Sequence, residues 1–235
     1  MCLIVKIEKI LEKSLYEWKK NIYISVPFII ESIAIFGFMN MLGFIGMTYN
    51  IDQQTLNAVI SLSPFLVSAF MLLIILSSYL EAVGLGAIHA SMKKRKGLWV
   101  YGKEHGLHMF QITTICLLLY FILSLPSMFF LNSFFLMYFG VIYLMGVIFF
   151  LSLALFFSKY AMIASRRKPW KAIERSARIF FKKPFFVMKM ALIIFVINFP
   201  VFVISLFLPI LGAFLIGFFT QPWTAYFIFR VYEVI

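Results

Sequence analysis

The sequence predicts an all-α fold, a polytopic transmembrane bundle of six spans in three helical hairpins, each preceded by a basic amphipathic interfacial helix. Three observations predict it. The chain of 235 residues is 63% hydrophobic and 13% charged, a composition that excludes a soluble globular domain. Its apolar runs reach the roughly 20 residues that a helix needs to cross a bilayer. Its lysines and arginines lie in every second connection between those runs, as expected of loops on one side of a membrane.

Nine elements are predicted within one integral membrane domain over residues 1–235. The second apolar run would form a helix about 50 Å long at 1.5 Å per residue, so it has to tilt, kink at Pro64 or project beyond the bilayer. Three basic segments carry apolar side chains at helical spacing, which is the pattern of a helix lying in the membrane interface. The predicted spans are 22–47, 58–90, 112–130, 134–164, 185–208 and 210–229, and the predicted interfacial helices are 3–20, 97–111 and 170–182.

The net charge of +12 indicates orientation, because the cations are unevenly placed. Five of the 21 lie in the N-terminal segment, five in 92–111, ten between Lys159 and Lys189, and the last is Arg230. The opposite connections, near 48–57, 131–133 and 209, have none. The positive-inside rule therefore predicts a protein of the cytoplasmic membrane with both termini in the cytoplasm. Because this placement accounts for the charge without a recognition module, nucleic-acid binding is not predicted.

The stretch 165–184, SRRKPWKAIERSARIFFKKP, is the most basic part of the chain. On a helix it places Trp170, Ile173 and Phe180 on one arc and a row of cations on the next. Such a helix is expected to lie beside anionic headgroups, and the alternative is a solvated basic loop. The predicted headgroup contacts are Lys171, Arg175, Arg178 and Lys182 here, with Lys93, Lys94 and Arg95 after the second span.

Four ionisable residues fall inside the predicted spans, Glu31, Glu81, Lys159 and Lys189. Because charge inside a bilayer is costly, each is a candidate functional residue. Glu31 and Glu81 lie at similar depth, so they are expected either to pair around a polar cavity or to be neutralised separately by neighbouring helices. The two lysines lie near the ends of their spans, and we expect them to extend their ammonium groups toward the interface.

The segment KILEKSLYEWKKN (9–21) aligns with KAIERSARIFFKK (171–183), which pairs Ser14 with Ser176 and Trp18 with Phe180. The alignment suggests a repeated unit of interfacial helix and hairpin, or only the composition that any basic interfacial helix has. The segment AIERSARIFFKKP and the ending AYFIFRVYE resemble uncharacterised prokaryotic six-span proteins, similar to the membrane domain attached to some glycerophosphodiester phosphodiesterases. In this chain Arg230 precedes Tyr232 and Glu233, unlike the ending typical of those families. The resemblance implies no catalytic residues, because the phosphodiesterase chemistry of such proteins lies in a separate domain.

The sequence offers no catalytic constellation, since it contains no HExxH, GxSxG, P-loop or dinucleotide fingerprint. We expect no cofactor and no metal site. Three functions stay open: a non-enzymatic membrane domain that contacts anionic inner-leaflet lipids or a partner, a small transporter that uses Glu31 and Glu81, and a lipid-acting enzyme. The expected partners are membrane lipids with anionic headgroups, and either a second copy of the chain or an unidentified membrane protein is compatible with the sequence.

Overall fold

The structure, a computed structural model, describes residues 2–48, 53–93, 100–129, 134–165 and 168–234, and within them the side chains of 7–40, 64–93, 100–127, 138–165 and 168–234. These parts of the chain are almost entirely helical, with no strand among them. The helices are α1 (Cys2–Lys20), α2 (Ser25–Thr48), α3 (Gln53–Met92), α4 (Val100–Phe129), α5 (Phe134–Leu155), α6 (Ser158–Ser165), α7 (Pro169–Lys182), α8 (Pro184–Phe207), α9 (Pro209–Leu215) and α10 (Gln221–Val234). A 3₁₀ turn, Ile22–Ile24, precedes α2, and a π-helical turn, Ile216–Thr220, joins α9 to α10.

Six segments of the described chain are long and apolar enough to cross a membrane. The all-α fold class with six spans is therefore confirmed. One span is α5 followed by α6, and another is α9 followed by the π-helical turn and α10. The segments are Ile22–Asn40, Pro64–Met92, Val100–Ser127, Tyr138–Ser165, Pro184–Phe207 and Pro209–Val234.

The second, fourth and sixth spans meet one another at the centre of the bundle, through α3, α6 and α10. The first span, α2, packs between α3 and the sixth span, and α4 packs between α3 and α5. The two amphipathic helices lie against the sixth and fourth spans. Helix α1 packs on α10 of the sixth span, and α7 packs on α5 and α6 of the fourth span. Arg230 on α10 donates to both carboxylate oxygens of Glu17 on α1, which joins the first helix of the chain to the last.

The predicted interfacial helix 97–111 is not a separate element. Residues 100–111 are the first turns of α4, which continues without a break to Phe129. Gly102 and Gly106 have a low helix propensity, yet they allow close packing. A Cβ at Gly102 would lie 2.5 Å from a methyl carbon of Val83 and 2.7 Å from the ring of Tyr79. The contact with α3 therefore outweighs the low intrinsic helix propensity of glycine.

The predicted fourth span, 134–164, is also not one continuous helix. It breaks at Phe156 and Phe157, between α5 and α6. Neither residue is a helix breaker, so we attribute the break to a contact with another part of the chain. Ser176 on α7 accepts a hydrogen bond from the Phe157 N–H at 2.9 Å and donates one to the Ala154 carbonyl at 2.7 Å. Backbone groups freed inside a membrane must be paired within the protein, and α7 supplies that partner.

The π-helical turn of the sixth span approaches α2 backbone to backbone. A Cβ at Gly217 would lie 2.5 Å from the carbonyl oxygen of Phe28 and 2.6 Å from the Cα of Ile29. No side chain at either contact can rotate away from such a clash. Close approach of this kind between helices in a membrane requires a small residue at the contact.

We predict that Gly217→Ala lowers the free energy of unfolding by about 1–3 kcal/mol, the usual cost of overpacking. The matched control is Gly37→Ala on α2, where nothing lies within 4 Å of the new Cβ. The control should be neutral or slightly stabilising, because alanine is the better helix former. Thermal unfolding of the purified protein in detergent measures both. Equal melting temperatures for Gly217→Ala and wild type would contradict the close contact.

Candidate functional site

The basic face of α7 forms one wall of a groove of about 610 Å³. Five cationic side chains and one acidic side chain line it, and Tyr232 at the end of α10 forms part of the opposite wall. Arg175 stacks over the Tyr232 ring at 5.5 Å from its centroid. We call this the basic groove; its lining is Lys171, Glu174, Arg175, Arg178, Ile179, Lys182, Lys183 and Tyr232.

The orientation of α7 explains why its cations face outward. Pro169 occupies the first turn, where its missing N–H removes no helical hydrogen bond. One apolar face then packs into the bundle and is buried: Pro169, Ala172, Ile173, Ser176 and Phe180. Trp170 was predicted to share the apolar arc with Ile173, but it lies outside this face, and both Trp170 and Phe181 are exposed. The helix therefore presents aromatic side chains outward beside its cations while a different face holds it to α5 and α6.

Within the basic groove, only part of the charge is neutralised. Arg178 donates to Glu174 one turn earlier, at 2.6 Å, and both side chains are more than half exposed. An exposed pair of this kind contributes little to stability. Glu174 is the one acidic residue among the groove's lining residues, so the groove keeps a strong excess of positive charge.

Glu31 and Glu81 come together inside the bundle, on α2 and α3. Ser77 donates a hydrogen bond to Glu31 Oε1 at 2.5 Å, and Lys159 Nζ on α6 donates to Glu81 Oε2 at 2.6 Å. Both acids line one cavity of about 200 Å³ between α2, α3, α6, α8 and α10. We call it the polar cavity, after its six polar lining residues, Glu31, Glu81, Tyr160, Asn198, Gln221 and Thr224.

The depth of the polar cavity follows from its place on α3. Glu81 precedes Met92, where α3 ends, by a distance of about 16 Å at 1.5 Å per residue. The hydrocarbon core of a bilayer is about 30 Å thick. If α3 ends at the interface, the cavity lies near the middle of the membrane. At that depth a charged side chain is most costly, which makes the two glutamates candidate functional residues.

The neutral polar residues of the cavity differ in how fully they are bonded. Asn198 donates its amide to the Ile194 carbonyl at 2.7 Å, and Gln221 accepts from Ser32 at 3.2 Å. Thr224 Oγ1 is buried and has no hydrogen-bond partner in the described structure. An unpaired buried hydroxyl costs about 1–3 kcal/mol.

The structure brings together some of the predicted site residues and separates others. Glu31, Glu81 and Lys159 form one cluster, whereas Lys189 is half-buried on α8 and does not line the polar cavity. The expectation that Lys159 extends toward the interface is wrong, because its ammonium group is bound to Glu81. All four cations predicted on α7 line the basic groove. Lys93 lies apart, in a smaller groove beside His89, and Lys94 and Arg95 lie outside the described residues.

Sequence reasoning missed several residues of both sites. Tyr232 and Lys183 line the basic groove, and Ser77 and Thr224 belong to the polar cavity. A serine or threonine in an apolar helix gives no signal in one sequence, because its hydroxyl usually bonds to its own helix. Ser14 does this with the Ile10 carbonyl at 2.7 Å. Among the residues with described side chains, no three of His, Cys, Asp and Glu are grouped closely enough to hold a metal ion.

Comparison of the chain with protein-family models, curated proteins and solved structures gives no match. The resemblance to the membrane domain of glycerophosphodiester phosphodiesterases therefore stays a prediction. The fold and the two sites define the class: this is a multi-pass α-helical membrane protein with a basic groove at one end and a charged cluster inside the bundle.

We predict that Ser176→Ala destabilises the protein by about 1–3 kcal/mol, because it leaves the Phe157 N–H and the Ala154 carbonyl buried and unpaired. Ser14→Ala is the matched control, since Ser14 is equally buried but bonds only within its own helix. The control should cost less than about 0.5 kcal/mol, the usual limit for changes away from such features. The two melting temperatures are compared in the same detergent. A Ser176→Ala variant as stable as Ser14→Ala would show that α7 does not hold the break.

Proposed function

We propose that the protein is a non-enzymatic membrane domain that binds the headgroup of an anionic phospholipid in its basic groove. The observation that carries the proposal is the groove itself, in which five cationic side chains face one acidic side chain around about 610 Å³. Lysine and arginine clusters beside membrane helices are the usual recognition site for anionic lipid headgroups. Arg175 and Arg178 also provide planar guanidinium groups, which can bind phosphate through two hydrogen bonds.

The surroundings of the groove favour a lipid over a free anion. Trp170 and Phe181 on α7 and Phe185 at the start of α8 are all exposed, close in sequence to the groove cations. Aromatic side chains beside cations are typical of helices that lie at the level of the headgroups. The groove volume is also far larger than a single phosphate requires, so it has room for a headgroup together with part of the glycerol.

We also propose that the groove faces the cytoplasmic leaflet of the cell membrane. The basis is the distribution of the 21 cations, most of which lie at the termini and in the alternate connections. Arg230 pairs with Glu17, and Tyr232 contacts Arg175, so α1, α7 and the end of α10 belong to one end of the bundle. The positive-inside rule places that end in the cytoplasm.

A small transporter is a second candidate function, and one specific observation favours it. Glu31 and Glu81 line a single polar cavity between five helices rather than separate packed interfaces. Binding sites near the middle of the membrane, lined by polar groups from several spans, are typical of secondary transporters. This candidate is compatible with headgroup binding, because the two sites involve different residues.

We predict that replacing Lys171, Arg175, Arg178 and Lys182 with glutamine weakens binding of anionic lipid at least tenfold, since each cation near an anionic headgroup contributes about 1 kcal/mol. The matched control replaces Lys9, Lys13, Lys19 and Lys20, four exposed lysines of α1, and changes the total charge equally. It should weaken binding less than about threefold, because these four lysines do not line the groove and exposed charges are screened by salt. Calorimetric titration of the purified protein with short-chain phosphatidic acid measures both.

The same titration separates the sources of phosphate. Short-chain phosphatidic acid and phosphatidylglycerol should bind more tightly than phosphatidylcholine, and inorganic phosphate should bind more weakly than either anionic lipid. If inorganic phosphate binds as tightly as phosphatidic acid, the groove binds a free anion and not a lipid. Equal affinity for phosphatidylcholine, or an equal loss in the two quadruple variants, would contradict a headgroup site.

A further inference from the structure

The polar cavity is lined by two carboxyl groups, and a single ammonium group is paired with one of them. Lys159 is bound to Glu81 at 2.6 Å, so this pair is neutral as a unit. Glu31 is 6% exposed, and the hydrogen bond that it receives comes from the neutral hydroxyl of Ser77. An ionised carboxylate that is buried in this way requires a positive charge beside it.

The size of the cavity identifies what could supply that charge. Its volume of about 200 Å³ would hold roughly six water molecules at about 30 Å³ each. A proton on Glu31 alone would need no such space. A small cation that keeps part of its water shell fits the volume, whereas a large organic cation would displace the polar side chains from their helix contacts.

The ligands around the cavity are suited to a hard monovalent cation. Oxygen atoms are available from the carboxylate of Glu31 and from the side-chain amides of Asn198 and Gln221. Divalent cations usually require six to eight oxygen ligands with several carboxylates, and the second carboxylate here is occupied by Lys159. One uncompensated negative charge matches one positive charge.

We propose that the polar cavity binds one monovalent cation, with Glu31 as the anionic ligand and Asn198 as a neutral ligand. The cation is an alkali ion or a small primary ammonium ion, since both combine one charge with a similar size. The Lys159–Glu81 pair determines whether the carboxylate of Glu31 is free to bind the cation. While Lys159 is paired to Glu81, it leaves Glu31 free for the cation; released from Glu81, Lys159 would take the place of the cation beside Glu31.

The proposal predicts opposite effects for the two members of the ion pair. Glu81→Gln frees Lys159 to pair with Glu31 and should abolish cation binding although Glu31 is intact. Lys159→Gln leaves a second carboxylate unpaired and should bind the cation at least tenfold more tightly. Glu31→Gln should abolish binding, and Asn198→Leu, which removes the amide oxygen, should weaken it about tenfold. Glu12→Gln, on the exposed side of α1, is the control and should bind like wild type.

The test uses the purified full chain in nanodiscs of neutral lipid. Na⁺, K⁺ and methylammonium are each titrated at constant ionic strength against N-methylglucamine, and the melting temperature reports binding because a ligand of the folded state stabilises it. Protection of Glu31 from a hydrophobic carbodiimide, read by mass spectrometry, locates the site. At least one of the three cations should raise the melting temperature saturably and slow the modification of Glu31 tenfold or more, and the responding ion distinguishes an alkali ion from an ammonium ion.

Two results would overturn the proposal. The first is labelling of Glu31 that depends on pH but on none of the three cations, which would show a carboxyl that binds only protons. The second is a cation effect that persists unchanged in both Glu31→Gln and Glu81→Gln, which would place the binding elsewhere. Because Lys159→Gln is expected to bind more tightly, a variant that merely unfolds cannot imitate the predicted pattern.

Discussion

The ion pair between Lys159 and Glu81 is the interaction on which the centre of the bundle depends. It connects α6 to α3, two of the three even-numbered spans that meet at the centre, in a region where neither charge can be fully hydrated. Removing one member of such a pair destabilises the protein, because the other charge is left uncompensated. The pair therefore restricts how these spans can move, and it also determines which charge remains for Glu31.

A second constraint acts on the irregular backbone of the even-numbered spans. The fourth span breaks between α5 and α6, and the sixth contains a π-helical turn. In each case an amphipathic helix outside the span supplies a hydrogen-bonding side chain. Ser176 of α7 bonds to Ala154 and Phe157, and Trp18 of α1 donates to the Phe218 carbonyl at 3.2 Å. Irregular backbone at membrane depth persists only when other groups of the protein pair it. The basic helices are therefore structural parts of the bundle as well as candidate lipid contacts, and the break that α7 holds lies directly before Lys159.

The sequence predicted the parts of this structure that depend on hydrophobicity and charge. Long apolar runs located the spans, and the spacing of Lys171, Arg175 and Arg178 predicted the face that lines the basic groove. The depth of Glu31 and Glu81 predicted that the two acids could share a cavity. The features that the sequence could not predict depend on contacts between distant segments of the chain. Phe156 and Phe157 give no local signal of a helix break, and nothing near Lys159 indicates that it pairs with Glu81, 78 positions away in the chain.

The most direct test of this account exchanges the charges of the central pair. Glu81→Lys and Lys159→Glu are made separately and together, and the melting temperature of each purified variant is measured. Each single exchange should strongly destabilise the protein, since it places two like charges in contact. The double exchange restores one charge of each sign and should recover most of the lost stability, a coupling of at least about 1 kcal/mol. If the double variant is as unstable as the sum of the two single variants, the two residues do not form the pair that holds the centre of the bundle.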